Sequence, residues 1–205
     1  YRYEKDATKT TLADRFEGKR FNSPNDLVVG PKGEIYFTDP PYGLQDKTKS
    51  ELNFCGVYRI APNGKLTLLT KELERPNGIS LSPDSKTLYV SQSQKPAPLV
   101  KAFQIKDDGS LNAGKVIYNC SRFVAADDEG VPDGLVVDTN GNLWVTGPGG
   151  VLIMTSEGKL LGRILMGKPT ANCTFGDDGR MLYIASSDRL CRVKTKTTGL
   201  GFKAK

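Results

Sequence analysis

The sequence predicts an all-β fold, a β-propeller of four-stranded antiparallel blades. Three observations carry that prediction. A phrase made of a proline, an oxygen-bearing residue and a strand-like run occurs as Pro24-Asn25-Asp26-Leu27-Val28-Val29, as Pro76-Asn77-Gly78-Ile79-Ser80-Leu81 and as Pro132-Asp133-Gly134-Leu135-Val136-Val137. Aligned on the oxygen-bearing residue, the chain yields four similar copies: NDLVVGPKGEIYFTD from Asn25, NGISLSPDSKTLYVSQ from Asn77, DGLVVDTNGNLWVTG from Asp133 and NCTFGDDGRMLYIAS from Asn172. No ten-residue amphipathic helix pattern competes with them.

Taken in order, the elements fit blades. Tyr1-Arg2-Tyr3-Glu4 and Thr10-Thr11-Leu12-Ala13 read as outer strands of a preceding blade, so 1–205 reads as one propeller domain incomplete at its N-terminus. Each copy then supplies a hairpin, because two alternating runs flank a turn of Gly, Asp, Asn, Ser or Pro and the second run carries Tyr36, Tyr89, Trp144 or Tyr183. Between the copies lie further strand pairs, 56–60 with 66–69, 101–105 with 116–118 and 150–154 with 160–164, each bracketing a glycine-containing turn. A last strand over 190–193 closes the chain. Hairpin plus hairpin recurs at 52, 56 and 39 residues, near the roughly 40–50 residues of a propeller blade. Strands for four to five blades are present. A β-sandwich also has short strands and frequent turns, but it does not repeat one phrase at the same point of each unit.

Composition narrows the chemistry. The chain has 205 residues, 38% of them hydrophobic, and no apolar run near the ~20 residues of a membrane-spanning helix. Its net charge of +6 comes from scattered Lys and Arg without an interleaved aromatic stripe, so it reads as a solvated surface rather than a nucleic-acid footprint. There is no histidine; Ser-His-Asp triads, Cys-His pairs and histidine-based zinc sites are excluded. Cys55, Cys120, Cys173 and Cys191 lack Cys-x-x-Cys spacing and fall in or beside strand candidates, the pattern of buried free thiols. The opening Tyr-Arg-Tyr-Glu-Lys-Asp matches neither a signal peptide nor a transit peptide. Compartment and oligomeric state stay open.

Several phrases together resemble a known family. Arg20-Phe21-Asn22-Ser23-Pro24-Asn25-Asp26, Ile35-Tyr36-Phe37-Thr38-Asp39-Pro40-Pro41-Tyr42-Gly43-Leu44, Arg75-Pro76-Asn77-Gly78, Pro132-Asp133-Gly134 and Cys173-Thr174-Phe175-Gly176 stand in the order found in the gluconolactonase-like branch of the SMP-30/gluconolactonase/LRE-like lactonases. The resemblance implies a six-bladed propeller with one divalent cation in its central tunnel: calcium first, with zinc, manganese or magnesium as alternatives. It implies Asn77 and Asp133 as metal ligands and Asn25 as a ligand or substrate contact. The remaining ligand of the family, a glutamate on the first blade, has no counterpart here, since neither Glu17 nor Glu34 lies in a matching motif.

The residues themselves point the same way. Inner strands of successive blades converge on the axis, and an oxygen-bearing side chain at the head of each suits a hard, partly hydrated cation. Taken singly, Asn25, Asn77 or Asp133 would read as a turn residue satisfying backbone N–H groups; three in register read as a site. Asp133, the one carboxylate of the three, is the candidate general base. Asn25 and Asp26 are the candidate substrate contacts, Asp26 equally as a support for the turn. Thr38, Asp39 and Tyr42 are placed after the second strand of their hairpin, with pocket lining and packing both open. Tyr36, Tyr89, Trp144 and Tyr183 read as packing between blades, as does Cys173, while Thr170 and Asn172 are weaker pocket candidates. Loops 45–54 and 92–99 are where specificity would reside. The function expected is hydrolysis of a sugar lactone to the aldonic acid, with a small-molecule lactone as partner and neither nucleic acid nor a membrane span. The same cation acting on organophosphate or other esters, and a non-catalytic propeller scaffold, are the competing readings.

Overall fold

The computed structural model describes residues 1–46, 49–124 and 128–202. Two short ribbons open it, β1 (Arg2–Tyr3) with β2 (Lys9–Thr10) and β3 (Arg15–Phe16) with β4 (Lys19–Arg20). Four antiparallel sheets follow. The first contains β5 (Leu27–Val29), β6 (Ile35–Asp39), β7 (Gly56–Ile60) and β8 (Leu66–Thr70), paired in chain order. The second contains β9 (Pro76–Leu81), β10 (Thr87–Gln92), β11 (Leu99–Gln104) and β12 (Lys115–Asn119), followed by a single helical turn, α1 (Ser121–Val124). The third contains β13 (Leu135–Val137), β14 (Leu143–Gly147), β15 (Gly150–Met154) and β16 (Leu160–Leu165); the fourth has three strands, β17 (Thr170–Gly176), β18 (Met181–Ser186) and β19 (Arg189–Lys194). They are the blades of a β-propeller, as the repeats predict.

The hairpin turns explain the punctuation between paired runs. Gly33, Gly141 and Gly179 adopt φ of 85°, 80° and 84° at one point of the first, third and fourth turns, a region costly for side chains with a Cβ. Ser85 holds the same place in the second at φ 57°.

The core lies between blades. Successive strand residues point to opposite faces, so Tyr36 packs against Ile79, Leu81, Leu88 and Val90 of the next blade, while Phe37 faces back toward Phe16 and Phe21. Tyr89 likewise joins Leu135, Val145 and Leu152 of the third blade, and Trp144 joins Cys173, Phe175 and Ile184 of the fourth. The expected packing role of these aromatics holds for Tyr36, Tyr89 and Trp144, which are buried; Tyr183 is half-buried and its hydroxyl bonds the Asp177 carboxylate.

Three boundaries differ from expectation by more than one residue. Thr38 and Asp39 lie inside β6, not after it, because both extend the register with β7 through Val57 and Gly56. The run 10–13 pairs only through Thr10; Leu12 and Ala13 instead cover the outer face of the first sheet beside Phe37 and Tyr58. The strand expected at 101–105 starts at Leu99. All four cysteines are free, with Cys120 and Cys173 buried and Cys55 and Cys191 half-buried. Among the described residues no helix is long and apolar enough to cross a membrane. Lys47 and Thr48, within the loop 45–54, lie outside the described residues.

Candidate functional site

A buried hydroxyl near the end of each second strand reaches across to the following blade. Thr38, Ser91 and Thr146 occupy one alignment position and are fully buried. Their hydroxyls donate to the backbone carbonyls of Asn77 at 2.7 Å, Asp133 at 2.6 Å and Ala171 at 3.1 Å. The fourth copy has Ala185 there. Each clasp thus grips the next blade at, or one residue before, its oxygen-bearing side chain.

Glycine completes the approach. Gly78 N–H donates to the Asp133 carbonyl at 3.1 Å and to Ser91 Oγ at 2.8 Å, and Gly134 N–H donates to the Ala171 carbonyl at 2.9 Å. A Cβ at Gly78 would collide with the Asp133 carbonyl, and one at Gly134 with the Asn172 amide. Asp26 stands at this point in the first copy, and its carboxylate accepts the N–H groups of Leu27 at 2.8 Å and Ile79 at 3.2 Å. It therefore ties β5 to β9 by a side chain where the later copies use backbone.

These contacts bring Asn25, Asn77 and Asp133 together. Asn25 Nδ2 donates to Asn77 Oδ1, Asn77 Nδ2 donates to Ser93 Oγ at 2.8 Å, and Ser93 Oγ donates to the Pro132 carbonyl at 2.5 Å. The Asn77 side chain also lies near the Asp133 carboxylate and favours its charged form. Asn77 is buried, Asp133 half-buried and Asn25 exposed. Burial pushes the Asp133 carboxyl up to about 6, the Asn77 side chain opposing the rise and the nearby Asp26 charge adding to it. Asp26 is itself raised by burial, against the two N–H groups it accepts.

The donors suit a hard divalent cation. Asn77 Oδ1 and Asp133 supply an amide oxygen and a carboxylate, the ligand types calcium takes. Asp133 has no ion pair among the described residues and a second carboxylate close by, so positive charge there would relieve its desolvation. Among the described residues no group of three or more His, Cys, Asp or Glu side chains could hold a metal; this set relies on amides.

The other sequence candidates separate clearly. Tyr42, left open between packing and pocket, reaches the site: burial raises its pKa, while the nearby Ser93 and Asn77 side chains oppose the rise and Asp133 adds to it. Asp39 does not line the site. Fully buried, it accepts the N–H groups of Asn22 at 2.9 Å and Ser23 at 2.8 Å, and burial pushes it up to about 6. Thr170 is also structural, its hydroxyl meeting Ser186 Oγ at 3.2 Å in a buried pair. Asn172 lines a cavity of 380 Å³ where the inner strands converge, together with Asp26, Ile79, Leu135 and Tyr183. Cys173 is buried with its thiol pushed up to about 12 by that burial. Sequence reasoning quoted Arg75 within a family phrase and placed Ser93 in the loop 92–99, but gave neither a role. The aligned Thr38, Ser91 and Thr146 were a visible signal for the clasps; Ser93 lies beyond the repeated text, and only its place in the loop 92–99 marked it.

The sequence matches the SMP-30/gluconolactonase/LRE-like region over residues 1–188. The chain belongs to this family. A gluconolactonase of Zymomonas mobilis is 41% identical over 197 residues, covering 93% of this chain and 55% of the relative. A lactonase of Staphylococcus haemolyticus is 32% identical over 164 residues, 77% of this chain and 44% of the relative. The chain thus spans about half the length of these curated family members. Among solved structures, a gluconolactonase of Xanthomonas campestris superposes with a TM-score of 0.81 at 35% identity, over 96% of this chain and 63% of the other. The calcium-binding protein regucalcin of Agrobacterium tumefaciens shares the fold, with a TM-score of 0.66 at 20% identity over 88% of this chain and 63% of the other.

Proposed function

We propose that the protein is a cation-dependent lactonase that opens a sugar lactone of the gluconolactone type to its aldonic acid. The observation that carries this reading is the grouping of Asn25, hydrogen-bonded to Asn77, with Asn77 near Asp133, a half-buried carboxylate with no ion pair among the described residues. Similarity to a gluconolactonase at 41% identity and a lactonase at 32% supports the reaction class. Asn77 Oδ1 and Asp133 would hold the cation, with Asn25 beside them; calcium is the first ion to assay, then zinc, manganese and magnesium. When bound, such a cation polarises the lactone carbonyl.

The chain's own groups do the rest. Asp133, the one carboxylate among the three aligned residues, takes the proton of the attacking water. Asn77 is locked by Ser93, so its oxygen faces Asn25 without searching rotamers. Asn25, exposed at the rim, orients the lactone. Asp26 keeps Asn25 in reach of Asn77 by tying β5 to β9.

The test is acid release from D-glucono-1,5-lactone by the complete protein, before and after chelation. Chelation abolishes turnover and calcium restores it. Asp133→Asn lowers kcat at least 10²-fold, the scale of a lost general base, with the far-ultraviolet spectrum unchanged. Full activity in that variant, or turnover indifferent to the chelator, would sink the proposal.

A further inference from the structure

Arg75 is half-buried, yet among the described residues its guanidinium has neither an ion pair nor a side-chain hydrogen bond. The residue stands two places before Asn77, and its charge is felt by the Tyr42 hydroxyl and by Cys55. Nearby carboxylates do not claim it. Glu72 is taken by Lys101 at 2.9 Å and by the Gly114 N–H at 3.0 Å, and Glu74 is exposed. Arg75 opens into a cleft of 590 Å³ that also includes Lys71, Pro41 and Cys55. An arginine kept partly desolvated without an acceptor is a donor awaiting one, and its planar fork fits carboxylate and vicinal oxygen pairs.

Pro41 lines the same cleft, and Tyr42, the residue after it, is 39% exposed and feels the Arg75 charge. Its loop is pinned by Ser23, whose hydroxyl donates to the Pro40 carbonyl at 2.5 Å and accepts the Gly43 N–H at 2.9 Å. Ser23 is in turn held by Asp39. The phenol is therefore presented on a fixed support, its hydroxyl at Asn77 and Ser93. A hydroxyl both donates and accepts, whereas a guanidinium only donates. Together they match a substrate whose hydroxyl groups need both kinds of partner and whose opened form carries a carboxylate.

We propose that Tyr42 and Arg75 form a subsite for the oxygen substituents of the lactone and the carboxylate of its product, selecting polyhydroxylated lactones over alkyl lactones. This rests on the lactonase reading. A site built to hydrogen-bond substrate hydroxyls rejects the analogue lacking them, because its own polar groups are then left unpaired.

The experiment compares the complete protein with Tyr42→Phe and Arg75→Gln. For each, kcat and KM are measured on D-glucono-1,5-lactone and on δ-valerolactone, D-gluconate binding by calorimetry, calcium binding, and the thermal midpoint. The ratio of kcat/KM between the two lactones falls about tenfold in each variant, mostly through KM on the hydroxylated substrate. Gluconate affinity falls about tenfold in Arg75→Gln, while calcium affinity and the thermal midpoint stay close to wild type. Arg75→Lys keeps the charge without the fork and recovers only part of the loss. Unchanged ratios in folded variants of an active enzyme overturn the subsite and leave the lactonase reading standing. A wild-type protein that opens neither lactone but binds gluconate through Arg75 overturns the lactonase reading and supports the subsite. One that neither turns over nor binds gluconate overturns both.

Discussion

A side chain at Gly78 has nowhere to go, since its Cβ would meet the backbone carbonyl of Asp133. At Gly134 the obstacle is the Asn172 side-chain amide, which can rotate away. The two substitutions therefore differ in cost despite identical motif positions. Gly78→Ala destabilises by about 3 kcal/mol or more and Gly134→Ala by about 1–2 kcal/mol, in the range for strain against fixed and movable neighbours. Urea denaturation of both variants checks this, and equal costs would refute it. At this scale the sequence was informative where it repeated. Asn25, Asn77 and Asp133 were singled out because three copies share one phrase, and the structure places them near one another. Ser93 occurs once, and its bond to Asn77 joins the end of β10 to the paired strand β9, a relation that no local pattern reports.

Between elements, Asp39 anchors the segment leading into β5 to the end of β6 through Asn22 and Ser23. Its carboxyl is raised from 3.8 to about 6 by burial. In that case the folded state holds its proton more tightly than the unfolded chain, so the stabilising contribution is complete below pH 3.8 and is lost as pH rises through about 6. Asp39→Asn removes that dependence: across pH 4 to 7 the unfolding free energy of the wild type falls relative to the variant's, as paired denaturant titrations would record. A constant difference between the two would contradict the assignment. Strand positions were largely legible, because alternation and turn residues are local. The extension of β6 through Thr38 and Asp39 was not, because those polar residues are buried by partners on other elements, Asn77 and Asn22 among them.

For the whole molecule, stability comes from stacking blade on blade. Trp144 is buried between the third and fourth blades in edge contact with Phe175, ring centroids 5.5 Å apart, and its Nε1 donates to the buried Asp138 carboxylate at 3.2 Å. Trp144→Ala costs about 3–5 kcal/mol, as for other large-to-small core changes. Tyr183→Ala, at the equivalent position but half-buried, costs about 1 kcal/mol. Thermal unfolding of the two variants gives the comparison, and similar losses would argue against inter-blade burial as the cause. By itself the sequence determined the all-β class, the blade repeat, the exclusion of histidine chemistry and three oxygen-bearing residues in register, because each is written in local period and residue type. Only the tertiary structure decided that buried hydroxyls clasp one blade to the next, that Asp39 supports a loop, and that the Tyr42 hydroxyl feels Asn77, Ser93 and the Arg75 charge. Those relations join residues far apart in the chain, where packing rather than local pattern sets which atoms meet.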